Sequence, residues 1–500
     1  MKVRWRISGV LAAGLALSFL WAAGRVEASI RFPPLALAER IVRLTPGDVA
    51  TFFIDRLGHN ALRLLTAGAI AAFLALGAFL AETTASRGRP RPYLAGLVLA
   101  TVSMAVGFAD PVPARPLATV LVSLSGGVLY GVPLAWLLEV GSDVSTEEPR
   151  PSRRRALAWI GASIAGLVLG GTVLGRFARR LMGPNTDVPI RTPDRPAPPP
   201  VRAAFPSIPG LSPEITRASD HYVVDIDLID PVVEAAGWTL SVHGLVERPL
   251  TFTFPELQRR FLLVEEYSVL TCISNPVGGP LVGNSRWTGV RVGEILSQAG
   301  LQGDAVDVVF RCADGYSDSI PVMAALDPSV ILAIAQNGRP LTQEHGFPCR
   351  LRAPAVYGMK NAKWVEEVEA VGSDYRGYWE QRGWSDVAAV RTASRIDAAG
   401  RTTAGEPTWI AGVAWAGSRG VSRVEVSVDG GRTWAQAMIH PPFSPLAWSQ
   451  WAYRWTPRRP GIYRVMCRAV DGEGRVQDRL ERPPHPSGAS GYHEIVLDVD

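Results

Sequence analysis

The chain is poor in cysteine and in charge, and each shortage removes a class of function. Its four cysteines, Cys272, Cys312, Cys349 and Cys467, lie 40, 37 and 118 residues apart. There is therefore no CxxC pair, no zinc-ribbon spacing, no iron–sulfur run and no CxxCH haem attachment. No fixed-period repeat is visible, which argues against a solenoid or propeller. Charged residues are only 19% of the composition, hydrophobic residues are 47% and the mean hydropathy is +0.12, so a disordered chain is excluded. A basic nucleic-acid-binding face is lacking as well. Residues 1–180 hold 20 Lys and Arg against 10 Asp and Glu, whereas residues 181–500 hold 31 against 36. The net +5 thus belongs to the first third, and the larger remainder is mildly acidic, so no nucleic-acid partner is expected. With 500 residues, the chain has room for about three domains.

The first third explains its own charge balance. Between Arg6 and Arg25 there are 18 residues without an ionisable group, as there are between Arg63 and Glu82 and between Arg91 and Asp110; Arg115–Glu139 leaves 23 and Arg155–Arg176 leaves 20. A helix needs about 20 apolar residues to cross a bilayer, with a range of ~17–25, so five spans are expected within 1–180. The first also suits a cleaved signal peptide, with Lys2, Arg4 and Arg6 ahead of its apolar run and small residues toward Ala28. Basic residues in short loops resist translocation. Arg87, Arg89 and Arg91 in one loop and Arg150, Arg153, Arg154 and Arg155 in another place the N-terminus and the 139–155 loop inside the cytoplasm, and everything after the fifth span outside. The six basic residues of the 25–63 segment run against this tally. Ser152-Arg153-Arg154-Arg155-Ala156-Leu157 reads equally as an internal twin-arginine export signal or as ordinary positive-inside arginines. The spans carry no paired charges and no embedded histidine, so plain anchoring in a multi-pass cell-membrane setting is the expectation.

Residues 181–213 are rich in proline, from Pro184 to Pro213, and predict an extended stalk. From 214 to 387, apolar runs at Trp238–Val242, Val306–Phe310 and Val365–Val371 alternate with helical stretches at Phe254–Arg260 and Val292–Ala299, which predicts a mixed α+β domain. From 388 to 500 the pattern is short strands, at Val421–Val428, Trp451–Trp455, Ile462–Ala469 and Glu494–Val499, with a turn at Asp429-Gly430-Gly431. That texture predicts a β-sandwich. The fold class is therefore multi-domain: a helical membrane bundle, an α+β domain and a C-terminal sandwich.

Cys272 ends an apolar run and begins a Gly/Pro loop, Thr271-Cys272-Ile273-Ser274-Asn275-Pro276-Val277-Gly278-Gly279-Pro280. By itself this reads either as an inert buried thiol or as a soft ligand for a transition metal. The surrounding residues decide more. Thr271-Cys272-x-Ser-Asn275, Asn284-Ser285-Arg286-Trp287-Thr288-Gly289-Val290 and Asp314-Gly315-Tyr316-Ser317-x-Ser319-Ile320-Pro321 resemble, in order, blocks of the sulfite oxidase family of molybdopterin-dependent oxidoreductases. So do His345-Gly346-Phe347-Pro348-Cys349-Arg350 and Tyr357-Gly358-Met359-Lys360-Asn361-Ala362-Lys363-Trp364. Gly412-Val413-Ala414-Trp415 and Val424–Trp434 resemble its Ig-like dimerisation domain. The membrane part, with Leu44-Thr45-Pro46-Gly47, is similar to that of a membrane-anchored bacterial subgroup.

The resemblance implies a Mo-molybdopterin cofactor, with Cys272 as the molybdenum ligand. It assigns cofactor binding to Asp220, Tyr222, Val223, Cys312, His345, Arg350, Asn361, Ala362 and Lys363, with Arg350 and Lys363 as phosphate partners. Cys312 stands where relatives often carry a small polar residue. Catalytic roles fall on Cys272, Tyr316 and Arg419, the last two steering a substrate oxyanion. Sulfite oxidases follow the ligand cysteine with Asn-Arg-Arg, whereas this chain has Asn275-Pro276-Val277, so one cation of the anion site is absent. A small oxyanion and a sulfoxide are thus both open as substrates. The expected reaction is two-electron oxygen-atom transfer outside the cytoplasm, with a cytochrome or quinone-linked electron partner and a homodimer through the C-terminal domain among the partners implied. Two other readings are weaker. A non-catalytic receptor or scaffold on a degenerate copy of the fold predicts no metal and conflicts with the intact Cys272, His345, Arg350 and Lys363. A Cys–His hydrolase built on Cys272 and His345 requires a base and an oxyanion loop that the sequence does not specify.

Overall fold

The computed structural model describes residues 2–26, 32–45, 60–86, 91–108, 116–139, 161–169, 186–199, 205–226, 230–400 and 402–500, with isolated positions 30, 49, 158 and 172. The chain divides into two compact units, Met1–Pro184 with Asp227–Val232, and Asn185–Ile226 with Val233–Asp500.

The first unit is helical: α1 (Lys2–Val26), α2 (Pro33–Leu44), α3 (Asn60–Ser86), α4 (Pro92–Phe108) and α5 (Pro116–Glu139). Three of its helices are long and apolar enough to cross a membrane, over Val3–Gly24, Leu64–Ala85 and Pro116–Leu138. α4 is apolar but has only 17 residues, at the short end of what a bilayer requires. Of the fifth expected span only 161–169, 158 and 172 are described, all helical. The loop arginines Arg87, Arg89, Arg150 and Arg153–Arg155, and the candidate export signal at 152–157, lie outside the described residues. Small residues let the backbones approach: a Cβ on Gly127 would stand 2.5 Å from the Gly96 carbonyl oxygen, and one on Gly9 would stand 2.4 Å from that of Gly77. Polar contacts add to this packing. The Tyr130 hydroxyl donates to the Gly77 carbonyl at 2.6 Å, and Arg6 pairs with Glu82 at 2.7 Å.

The second unit begins with the proline-rich segment, which docks along its own domain instead of standing free as a stalk. The Arg191 N–H donates to Gln258 Oε1 at 2.9 Å, the Leu263 N–H donates to Asp194 Oδ2 at 2.8 Å, and Arg195 bridges in parallel to Val264. Extended, proline-rich backbone has few donors of its own and fits the open edge of a sheet. Farther on, Phe205, Ile208 and Leu211 pack on Ala398, Ala411 and Ala452.

Two sheets form the α+β part. One has the order β2 (Leu250–Thr253), β1 (Thr239–Gly244), β10 (Val365–Val371), β5 (Asp307–Cys312), β6 (Ser317–Pro321), with β1 and β10 parallel and the other neighbours antiparallel. The other runs β3 (Leu263–Thr271), β4 (Val282–Arg291), β7 (Ile331–Gln336), β8 (Arg339–Pro340), with β9 (Arg350–Arg352) also paired to β7. Helices α6 (Phe254–Arg260) and α7 (Val292–Ala299) fall where the sequence pattern places them. α6 starts with a capping box, in which Glu256 accepts from the Thr253 N–H at 2.9 Å, and α7 stops at Gly300 in the left-handed region, φ 74°. Trp287, Phe252, Phe310 and Trp364 are almost completely enclosed in this core.

The C-terminal part is two four-stranded sheets, β11 (Ala393–Ala399), β12 (Thr408–Trp415), β16 (Ser449–Trp455), β15 (Met438–Ile439), and β14 (Ala435–Gln436), β13 (Val421–Ser427), β17 (Gly461–Asp471), β18 (His493–Val499). Ile410, Val424, Trp451, Val465 and Cys467 fill the space between them. All four cysteines are buried free thiols, so no disulfide holds either part. A third apolar cluster joins the two parts: Val269, Ile273 and Tyr357 of the α+β region meet Val413, Trp415 and Trp448 of the sandwich. The C-terminal end of β3, where Cys272 sits, is next to that junction.

Candidate functional site

Strand β3 delivers Cys272 to the start of the Gly/Pro loop. Its N–H donates to the Leu281 carbonyl at 3.0 Å, and its sulfur lies 3.0 Å from Ser274 Oγ. Burial pushes the thiol pKa up, while the Ser274 hydroxyl pulls it down. The loop is clamped from the sandwich: Arg395 Nη1 donates to the Gly279 carbonyl at 2.8 Å, and the His493 ring lies so close to Gly278 that a Cβ there would stand 2.3 Å from it.

The segment 216–223 lies across the same site. Thr216 is tied to Asn284 by two backbone-anchored bonds, 2.7 and 3.0 Å, and its carbonyl accepts from Asn337 Nδ2 at 2.9 Å. Tyr222 is directed toward Gly358, where a Cβ would meet its hydroxyl at 2.5 Å and the Cys272 Cα at 3.7 Å. His221 packs edge-on to Trp287 and His345, with ring centres 6.0 and 5.6 Å away. His345 donates from Nε2 to the Ala218 carbonyl at 2.7 Å, which fixes the proton on that nitrogen. Burial holds both imidazoles neutral, lowered to about 3 for His221 and about 4 for His345.

Beneath them lie two arginines from β9. Arg350 and Arg352 are two residues apart on one strand, so they share a face, and their guanidiniums sit 5.4 and 4.9 Å from the centre of the Trp287 ring. Arg350 donates to the carbonyls of His345 and Asn361, each at 3.1 Å; Arg352 donates to Ser268 Oγ and the Val269 carbonyl, each at 3.0 Å, and to Asn361 Oδ1. Among the described residues neither has a carboxylate at ion-pair distance. Burial lowers them to about 10 and about 9. Arg350 Nε, Arg352 Nε, both His221 nitrogens and the Tyr222 hydroxyl are buried without a hydrogen-bond partner. Two buried cations with no contacting carboxylate, Asp225 and Glu266 lying only within electrostatic reach, and the unpaired polar atoms around them, beside a thiol, fit an anionic ligand with a metal-seeking group.

The remaining expected residues are distributed around this centre. Lys363 pairs with Asp225 and donates to the Glu344 carbonyl at 2.8 Å. The Asn361 side chain is committed to the backbone, accepting from the Ala353 N–H at 2.7 Å and donating to the Tyr357 carbonyl at 3.0 Å. The Ala362 carbonyl accepts from Leu351 at 2.8 Å. Asp220 and Val223 are exposed on the outer side of the crossing segment. Cys312 ends β5, its thiol pushed far up by burial and by the nearby Asp314 and Asp318.

Tyr316 is expected to face a substrate, but its hydroxyl engages Asp318 Oδ2 at 2.8 Å and the Met359 carbonyl at 2.7 Å. It belongs to a buried ionic group that sequence reasoning missed. Lys360 Nζ reaches Asp318 Oδ1 at 2.9 Å, Glu380 Oε1 at 2.8 Å and Asp386 Oδ1 at 3.0 Å. Burial pushes Asp318 up to about 7 even though Lys360 opposes it. Arg419, from the sandwich side, donates to Asp471 at 2.9 Å, the Val390 carbonyl at 3.0 Å and Thr392 Oγ1 at 3.1 Å. His221, Arg352 and Lys360 were also absent from the sequence-based set. The i, i+2 spacing of Arg350 and Arg352 in a strand was the available signal for one of them.

Two domain families match the chain: an oxidoreductase molybdopterin binding domain over residues 228–379 and a Mo-co oxidoreductase dimerisation domain over 385–482. Sulfite oxidase of Gallus gallus is 31% identical over 297 residues, covering 49% of this chain and 64% of that protein. The uncharacterized oxidoreductase YuiH of Bacillus subtilis is 33% identical over 147 residues, covering 29% of this chain and 72% of YuiH. A nitrate reductase [NAD(P)H] of Hordeum vulgare is 28% identical over 294 residues, covering 47% of this chain and 33% of that protein. The chain spans less than two thirds of the sulfite oxidases it matches, from 43% to 64% of their length. The solved sulfane dehydrogenase SoxCD from Paracoccus pantotrophus superposes with a TM-score of 0.50 at 24% identity, covering 58% of this chain and 84% of that one, a likeness of fold.

Two outcomes follow from the geometry. Lys360→Met should leave Asp318 and Glu380 buried without their cation and destabilise the purified protein by ~3–5 kcal/mol in urea unfolding; a loss below ~1 kcal/mol would contradict the pairing. His345 has its folded pKa below the unfolded 6.5, so the unfolded chain binds more protons between about pH 4 and 6.5. Its stability contribution is complete above pH 6.5 and is lost as the pH falls toward 4. Relative to His345→Gln, the wild type should therefore lose about 2 kcal/mol between pH 7 and pH 5, and parallel curves would refute this.

Proposed function

Because the chain belongs to the sulfite oxidase family of molybdopterin-dependent oxidoreductases, we propose that it catalyses two-electron oxygen-atom transfer of the sulfite oxidase kind. One observation carries this reading to the residues: Arg350 and Arg352, which no carboxylate contacts among the described residues, and the unpaired polar atoms of His221 and Tyr222 lie together within electrostatic reach of Cys272. That donor set fits molybdopterin, whose phosphate and polar ring edge require donors and whose metal requires a thiolate. When bound, the cofactor supplies a centre that exchanges an oxygen atom and two electrons with a small substrate.

The chain's own residues do the rest. Cys272 is the molybdenum ligand; Ser274, 3.0 Å from its sulfur, supports the thiolate that burial disfavours. Arg350 and Lys363 hold the phosphate, assisted by His345 and by the backbone at Asn361 and Ala362. Tyr222 closes the enclosure from the crossing segment, with Asp220 and Val223 contributing backbone contacts and Cys312 lining its far wall. Tyr316 acts through the Met359 carbonyl, holding the 357–363 loop in place, and is a positioning residue. Arg419 meets the substrate from the sandwich side. In the oxidising direction, sulfite gains one oxygen atom from water and releases two protons and two electrons, the electrons leaving to a cytochrome or quinone-linked partner.

The same reading divides the chain into a membrane domain at 1–180, a linker at 181–213, the molybdopterin domain at 214–387 and an Ig-like dimerisation domain at 388–500. The apolar helices anchor it in the cell membrane, with the catalytic part outside the cytoplasm and dimers forming through the sandwich. The 17-residue α4 and the described helix at 161–169 complete the five-span count in this scheme.

Cys272→Ala, purified in detergent from a host that makes the cofactor, should lose sulfite turnover completely while keeping the wild-type far-UV spectrum and urea midpoint. Retained turnover would sink the ligand assignment.

A further inference from the structure

Tyr316 has one phenolic proton and two oxygens to receive it. Its hydroxyl lies 2.7 Å from the Met359 carbonyl and 2.8 Å from Asp318 Oδ2. A carbonyl can only accept, so the phenolic proton serves Met359, and an ionised Asp318 would then set a bare carboxylate oxygen against the bare lone pairs of the phenol. A second proton removes the conflict. Its place is Asp318 Oδ2, because Oδ1 already accepts from Lys360 Nζ at 2.9 Å and from the Ser319 N–H at 2.8 Å.

The charges around the group agree. Lys360 contacts three carboxylates, of which Asp318 and Glu380 are enclosed and Asp386 is 36% exposed. One ammonium does not balance two enclosed carboxylates, whereas a neutral Asp318 leaves Lys360 and Glu380 as a matched pair. The elements packed on Asp318 bring further acidic groups. β5 supplies Cys312 and, through the Ser319 hydroxyl at 2.9 Å, Asp307; Asp314 accepts from the Tyr316 N–H at 2.9 Å. From the segment after β10 come Tyr375, whose carbonyl accepts from Ser319, and Tyr378, whose ring stands 6.0 Å from that of Tyr316 and is covered by the Arg382 guanidinium. Arg311 of β5 is turned to Glu369. Among the described residues, Lys360 is the cation that contacts Asp318. Burial pushes Asp318 up to about 7 against the opposing Lys360, with Glu380 adding to the rise, and burial also keeps the Tyr316 hydroxyl protonated.

We propose that Asp318 is a positioning residue that works as a neutral acid: it donates to the Tyr316 hydroxyl, Tyr316 donates to the Met359 carbonyl, and removal of the one acid proton as the pH rises releases the 357–363 loop. The switch follows from the strengths of the two bonds. Once Asp318 is a carboxylate, its charge draws the phenolic proton away from Met359, and the carbonyl loses its donor. The proton lost goes to bulk water, which the group meets at Asp386, hydrogen-bonded to Lys360 at 3.0 Å. The loop that is released carries Asn361, Ala362 and Lys363, and its Gly358 backbone borders the Tyr222 hydroxyl and the Cys272 Cα. The effect on a bound cofactor rests on the oxidoreductase reading, whereas the protonation of Asp318 does not.

The test compares the detergent-solubilised full chain with Asp318→Asn, which can donate to Tyr316 and accept from Lys360 but cannot ionise. In infrared difference spectra, wild type minus Asp318→Asn should show the carbonyl stretch of a protonated carboxylic acid at about pH 6 that is lost by about pH 8.5. Pterin release from the wild type should be roughly five-fold faster at the higher pH, the effect of one lost hydrogen bond, and equal at the two pH values in Asp318→Asn. Tyr316→Phe, which has no proton to give Met359, should release pterin fast at both and gives the answer even if Asp318→Asn does not fold. A missing acid band, wild-type release that is the same at both pH values, or pH dependence that persists unchanged in Asp318→Asn or Tyr316→Phe overturns the proposal. A wild type that shows the acid band but contains no pterin overturns instead the oxidoreductase reading and leaves the protonated Asp318 standing.

Discussion

The arrangement of the α+β domain depends on two buried guanidiniums that no carboxylate contacts among the described residues. Arg350 and Arg352 stack against Trp287, use main-chain and Ser268 oxygens for part of their donors, and have no carboxylate at ion-pair distance among the described residues. Taking a cation out of water costs several kcal/mol, and a cation–π contact returns only about 2 kcal/mol when desolvated. An anion in the enclosure restores the balance. Much of the local structure follows from that need: β9 is short and paired to β7 so that both arginines share a face, Asn361 pins the following loop, and segment 216–223 crosses over with neutral imidazoles that add no further positive charge.

A second ionic group sets the rigidity of the same loop from behind. Lys360, next in sequence to Asn361, is enclosed by Asp318, Glu380 and Asp386, and Tyr316 ties that group to the Met359 carbonyl. The loop of 357–363 therefore carries both a buried cationic anchor and residues that the proposed function assigns to the cofactor. The sandwich contributes a third constraint, because Arg395 and His493 hold the Gly278–Gly279 turn that follows Cys272. With the thiol loop, the arginine strand and the lysine loop each fixed by buried polar contacts, the site is held in shape by the protein's own residues.

The parts legible in the sequence were those with local signatures. Charge-free runs marked the apolar helices, an apolar run marked the strand Val365–Val371, alternation marked the strand Val421–Ser427, and the helical stretch at Phe254–Arg260 is α6. The thiol loop and the arginine and lysine blocks were legible by their resemblance to a family. What was not legible depended on contacts between distant residues. The proline-rich segment carries no mark of the sheet edge it pairs with 69 residues later. Lys360 reads as a surface charge until Asp318 and Glu380 are folded around it, and His221 acquires its meaning from Trp287 and His345.

The central claim is that Arg350, Arg352 and Cys272 form a molybdopterin site, and the most direct measurement is elemental molybdenum, together with released pterin, per chain in protein purified from a host that makes the cofactor. The account predicts near-stoichiometric metal and pterin in the wild type and a large loss of both in Arg350→Met. A wild type free of molybdenum and pterin, or an Arg350→Met variant that retains both in full, would contradict it.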